Sequence, residues 1–189
     1  MRESVLSAAM EALAEGGLAH FDLGDLAKRA EVGRTTVYRR WGSVTAVVAD
    51  MLREMAIESV PRADTGSLLG DLQANARLVV RTLTDPRQGP LFKALLAAAT
   101  WDTPTAGALA EFYATRIAEW APCVTDAVAR GEVPEDTDAE EVVRAVSAPL
   151  YYRLLTGTGV LDEPTADRAA QAAVIAARAG VFSRVNDAR

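Results

Sequence analysis

The stretch from Asp22 to Trp41, DLGDLAKRAEVGRTTVYRRW, constrains this chain more than any other. It reads as two short helices joined by a tight turn. Leu23, Leu26, Ala27 and Ala30 recur at helical spacing and give the first helix one apolar face. Asp22 is placed to cap that helix, and Asp25 puts negative charge in its first turn. Glu31-Val32-Gly33 forms the turn. The second helix starts near Arg34 and stops at Trp41, before Gly42-Ser43. Val37 and Trp41 lie four apart and face inward together, which leaves Arg34, Thr35, Thr36, Tyr38, Arg39 and Arg40 outside.

The charge on this outward face runs against the rest of the molecule. Lys28, Arg29, Arg34, Arg39 and Arg40 stand against Glu31 alone, a local balance of +4 in a chain of formal charge −6. Residues 1–60 as a whole carry −2 and the remainder −4, so the positive charge is concentrated by placement. An isoelectric point near 4.9 argues against a protein that coats nucleic acid without discrimination. A local basic helix carrying Thr and Tyr still suits a phosphate backbone and base edges. In a helix-turn-helix the second helix enters the DNA major groove.

The segment resembles the DNA-binding domain of the TetR family of transcriptional regulators, whose pattern runs L-A-x-x-A-x-V-S-x-x-T-[LV]-Y-x-[HY]-[FW]-x-[SG]-K. Leu26-Ala27, Ala30, Val32, Thr36-Val37-Tyr38, Trp41 and Ser43 match in register. Gly33 replaces the usual capping Ser, Glu31 a common Gly, Arg40 a His or Tyr, and Val44 a Lys; Gly24 sits where a polar residue is usual. The resemblance implies a homodimeric, ligand-responsive repressor that binds a palindromic operator in double-stranded DNA through the helix at 34–41. Arg34 and Arg39 are the candidate base readers, because Arg can pair both guanine acceptors. Thr35 and Thr36 suit a base edge or a phosphate, Lys28 joins the basic face, and the matched family positions assign Tyr38 and Arg40 to phosphates.

The whole chain reads as all-α, with about nine helices. Residues 2–15 form the first, with Val5, Leu6, Ala9, Met10 and Leu13 as its stripe and Gly16-Gly17 as its end. Leu18 and Phe21 are expected under the next helix, and the lone His20 in a loop or packing role. Ser43 caps a long fourth helix, about Val44 to Val60. The boundary between a DNA-binding domain, 1–60, and a C-terminal regulatory, ligand-binding and dimerisation domain, 61–189, falls there. Helices are then expected over 67–84, 91–101, 103–130 (broken or kinked at Pro122), 138–155 (bent at Pro149) and from Thr165 or Pro164 to Val181. Alanine dominates the last helix, and small residues let helices approach closely. The two closing helices need a partner surface, either within the chain or from a second copy; the resemblance implies the two-fold dimer.

Large side chains in an Ala- and Leu-rich background, Phe92, Trp101, Phe112, Tyr113, Trp120, Tyr151 and Tyr152, are core or pocket candidates, with Arg116, Arg153 and Tyr151 the polar groups to watch. The resemblance implies a small-molecule effector, unknown in identity, among these helices. An enzyme is disfavoured: one His, one Cys, no phosphate loop, no metal-spaced pair and no nucleophile elbow are present. No metal or cofactor is expected. Cys123 has no partner for a disulfide, no leader is visible, and no apolar run reaches the ~20 residues of a membrane span, so a reducing cytoplasm is the expected setting. The alternative to DNA binding is a helical interaction or small-molecule-binding module.

Overall fold

The computed structural model describes residues 1–17, 21–57 and 61–184. Among these residues the secondary structure is nine α-helices: α1 (Arg2–Gly16), α2 (Leu23–Arg29), α3 (Arg34–Trp41), α4 (Val44–Ile57), α5 (Leu68–Thr84), α6 (Gln88–Ala99), α7 (Thr103–Ala129), α8 (Ala139–Thr156) and α9 (Glu163–Arg178). A single antiparallel bridge joins Thr137 to Ser183. The expectations for Leu18, His20 and the last turn of the fourth helix, 58–60, lie outside the described residues. The helices divide into two compact units, Met1–Ser59 with Thr84–Ala114, and Val60–Leu83 with Thr115–Arg189.

In the first unit α1 packs on α2, α4 and α6, α2 on α3, and α3 on α4. The core is built from Val5, Leu6, Ala9 and Leu13 of α1, Leu23, Leu26 and Ala27 of α2, Val37 of α3, and Val47, Val48, Met51 and Leu52 of α4. Gly89, Leu91, Phe92, Leu95 and Ala98 are the buried residues of α6. That helix begins earlier than its apolar run, at Gln88, because Asp85 accepts from the amides of Arg87 and Gln88, both at 2.9 Å. Pro90 then falls in the first turn, where an amide has no intrahelical acceptor to lose.

In the second unit α8 packs along α9. Val142, Val143, Val146 and Leu150 meet a face of Ala166, Ala169, Ala170, Ala173 and Ala177, all buried. Asp167 of α9 takes two bonds from Arg77 of α5, at 2.8 and 2.7 Å. Glu132 accepts from the first amide of α5, at Leu68, and pairs with Arg130 and Arg178.

One expectation about proline is narrowed: α7 is not broken at Pro122. Pro122 lies inside α7 and Pro149 inside α8, and both helices run on. An interior proline costs about 3 kcal/mol. Around Pro122, Trp120, Cys123, Val124 and Ala127 are all at most 2 % exposed. Each large side chain buried returns about 1.5–3 kcal/mol, which is enough to keep the helix seated. Asp102 caps α7 by accepting from the Thr105 amide, and Asp162 caps α9 by accepting from Thr165.

Candidate nucleic-acid interface

The sequence builds the helix pair from its caps inward. Asp22 Oδ1 accepts from the amides of Gly24 (2.7 Å) and Asp25 (3.2 Å), so α2 starts as its cap dictates. The turn closes with the Val32 amide on the Ala27 carbonyl at 2.9 Å. This places Glu31 at φ 54°, the one non-glycine residue with positive φ among the described residues. That conformation is strained for a side chain with a Cβ. Gly33 opens α3 without a side-chain cap, and Gly42 closes it in the left-handed conformation at φ 69°.

Val37 is fully buried and ties α3 to the core. Four residues on, the Trp41 ring donates its Nε1–H to Asp50 Oδ2 of α4 at 3.0 Å. Asp50 also receives Arg2 through Nε at 3.1 Å and Nη2 at 3.0 Å, and the remaining Arg2 nitrogen reaches Glu54 at 2.7 Å. Helix α3 is therefore bolted to α4 and, through it, to the start of α1. Arg2 and then Trp41, by hydrogen bonding, hold the Asp50 carboxyl below its ordinary range. A lowered folded value means that the bolt contributes fully above the ordinary carboxylate range and is lost as pH falls through the lowered value. Asp50→Asn is therefore expected to lower the melting temperature at pH 7. Its deficit should shrink below about pH 4, as the native carboxyl also becomes neutral; thermal melts of both proteins across that range check this.

The outward face is as the sequence reading has it. Arg34, Thr35, Tyr38, Arg39 and Arg40 are exposed and Thr36 is half-buried. None of Arg34, Arg39 and Arg40 has an acid within ion-pair distance among the described residues, whereas Lys28 pairs with Asp25 at 3.1 Å and Arg29 with Glu15 at 2.8 Å. The Lys28 pair is open to solvent and worth little, so that lysine is easily redirected. The Arg40 guanidinium lies over the Trp41 ring, 5.2 Å from its centroid, and Arg34 over Tyr38 at 5.4 Å. Sequence reasoning missed Arg2, Asp50 and Glu54. The available signal was an acidic pair one turn apart, Asp50 and Glu54, in the largely apolar α4.

The aromatic candidates separate. The Phe92 and Phe112 rings meet at a tilt with centroids 5.5 Å apart, and Phe112 meets Tyr113 at 5.3 Å, within the first unit. In the second, Trp120 is buried, Tyr151 half-buried, and Arg116 pairs with Glu119, burial holding its guanidinium below the usual arginine range. Trp101 and Tyr152 stand on the surface, 67 % and 62 % exposed. No group of three or more His, Cys, Asp or Glu able to hold a metal occurs among the described residues, and no helix of the described residues is long and apolar enough to cross a membrane.

Comparison with known proteins agrees with this geometry. Residues 5–51 match the model for bacterial regulatory proteins of the tetR family, and residues 62–173 the model for the Tetracyclin repressor-like C-terminal domain. The chain is 32% identical over 171 residues to YdeS of Bacillus subtilis, an uncharacterized HTH-type transcriptional regulator, covering 87% of this chain and 84% of the relative. It is 31% identical over 167 residues to the HTH-type transcriptional regulator AqdR of Rhodococcus erythropolis, covering 87% and 78%. Among solved structures, the TetR family transcription regulator SCO0332 superposes with a TM-score of 0.74 at 26% identity, over 92% of this chain and 96% of that one.

Proposed function

The chain belongs to the TetR family of transcriptional regulators, and from that premise we propose that it is a homodimeric repressor whose two copies of α3 enter successive major grooves of a palindromic operator. The observation that carries this reading is the solvent-facing row Arg34, Thr35, Tyr38, Arg39 and Arg40, whose arginines have no acid within ion-pair distance among the described residues, on a helix held from behind by Val37 and Trp41. Arg39 reads a base, Tyr38 and Arg40 hold phosphates, and Thr35, Thr36 and Lys28 complete the contact. Two-fold symmetry sets the reading helices about 34–36 Å apart.

Self-association is supported by apolar side chains left on the last two helices: Tyr152, Leu155 and Ile175 are 62 %, 48 % and 60 % exposed. Polar groups of the second unit support an effector. Arg116 is close enough to Tyr151 for the two to interact electrostatically, and the Trp120 Nε1 and the Asn75 amide oxygen are buried with no hydrogen-bond partner among the described residues. A small molecule offering complementary polar groups on an apolar body fits such a setting. It need shift the operator-binding equilibrium by only about 1–3 kcal/mol to release DNA. The protein acts, in this reading, in the cytoplasm and by binding alone.

The test is a mobility shift on the DNA flanking the protein's own gene and on single-base variants of the site found there. Arg39→Ala is expected to lose preference at one position of each half-site, about 1–3 kcal/mol of discrimination. Arg40→Ala is expected to weaken all sequences alike and to reduce the salt slope by about one per subunit. Binding indifferent to Arg39 and to salt would instead indicate a helical interaction module.

A further inference from the structure

Gly24 occupies a helical position in α2 with no positive φ to require glycine, and it is buried. Glycine inside a helix is less favourable than alanine. Its backbone does not explain it; its surroundings do. A Cβ built there would lie 2.9 Å from Asp22 Oδ1, 3.2 Å from Arg34 Cζ and 3.3 Å from Arg34 Nε. The missing side chain is the space that the Arg34 guanidinium fills. From there Arg34 Nη2 donates to the Tyr38 hydroxyl at 3.4 Å, with the guanidinium stacked on the ring.

Resting on the DNA-binding reading above, we propose that Gly24 is a positioning residue that folds Arg34 back beside Tyr38, so that the guanidinium and the phenol together seat one backbone phosphate and base reading falls to Arg39. A base reader has to carry its fork forward, free of its own protein. Arg34 instead lies along α3 with Cζ and Nε against α2. A guanidinium and a hydroxyl about one hydrogen bond apart match two oxygens of one phosphate group. The neighbouring acids do not fill this seat. Asp22 is engaged by the amides of Gly24 and Asp25, and Asp25 by Lys28. The sequence alone groups Arg34 with Arg39 as guanine readers; the placement of the two side chains divides their roles.

The experiment uses full-length protein and duplexes that the wild type selects from a random pool, with single-base variants of the selected site. Gly24→Ala, Arg34→Ala and the double variant are compared. Arg34→Ala is expected to weaken every duplex by the same factor, roughly tenfold, with the ranking of variants kept and the salt slope lowered by about one per subunit. Gly24→Ala is expected to weaken binding in the same uniform way and to add nothing when Arg34 is already alanine. A changed ranking in Arg34→Ala would overturn the proposal, since it would make Arg34 a base reader. An undiminished Gly24→Ala effect in the double variant would overturn it too. Arg34→Ala alters an exposed side chain, so it carries the test even if Gly24→Ala folds poorly. If the wild type itself selects no duplex, the DNA-binding reading fails first, and that outcome is separable from the other two.

Discussion

Raising monovalent salt from about 50 to about 200 mM is expected to lower operator affinity by roughly 10²–10³-fold. The estimate follows from counting cations: two or three of Lys28, Arg34 and Arg40 on phosphates in each subunit give about four to six per dimer, and each contributes about −0.9 to the slope of log K against log salt. The net charge of −6 makes the dependence more informative. A molecule repelled by DNA overall binds only through a local surface, so the slope counts that surface. Titration by fluorescence anisotropy at four or five salt concentrations measures it, and a slope near zero would remove α3 from the duplex.

The second large effect concerns the C-terminal unit. Trp120→Ala is expected to destabilise the protein by about 3–5 kcal/mol, because it removes one of the largest fully buried side chains and leaves a cavity. For a chain of this size each kcal/mol moves the melting temperature by about 2–4 °C, so the expected fall is on the order of 6–20 °C. Trp120→Phe should lose much less, since the indole N–H bonds to no acceptor among the described residues and only volume is given up. Thermal unfolding followed by circular dichroism distinguishes the two. Equal losses would mean that the indole nitrogen is bonded after all.

What could be read from the residues was local. Asp22, Ser43 and Asp138 accept from amides two or three residues ahead, so their capping roles are written within one turn of chain. The strain at Glu31 was visible as a side chain where the turn favours glycine. The basic face followed from the four-residue spacing of Val37 and Trp41, which fixes the inward side and therefore the outward one. The failures share a different cause. Pro122 signals a break by local rules, yet α7 continues because neighbours distant in sequence bury the residues around it. The apolar run of α6 shows that it is buried; nothing in it shows that α1 is the partner. Arg2 and Asp50 are 48 residues apart, and their bond appears only once the core has set two helices side by side. Gly24 reads as a missing polar group until the arginine beside it is located.

Cys123 is wholly buried, and burial pushes its thiol up to about 12. At neutral pH it stays protonated and shut away from peroxides, electrophiles and disulfide exchange. An oxidative burst therefore finds no trigger at this sulfur.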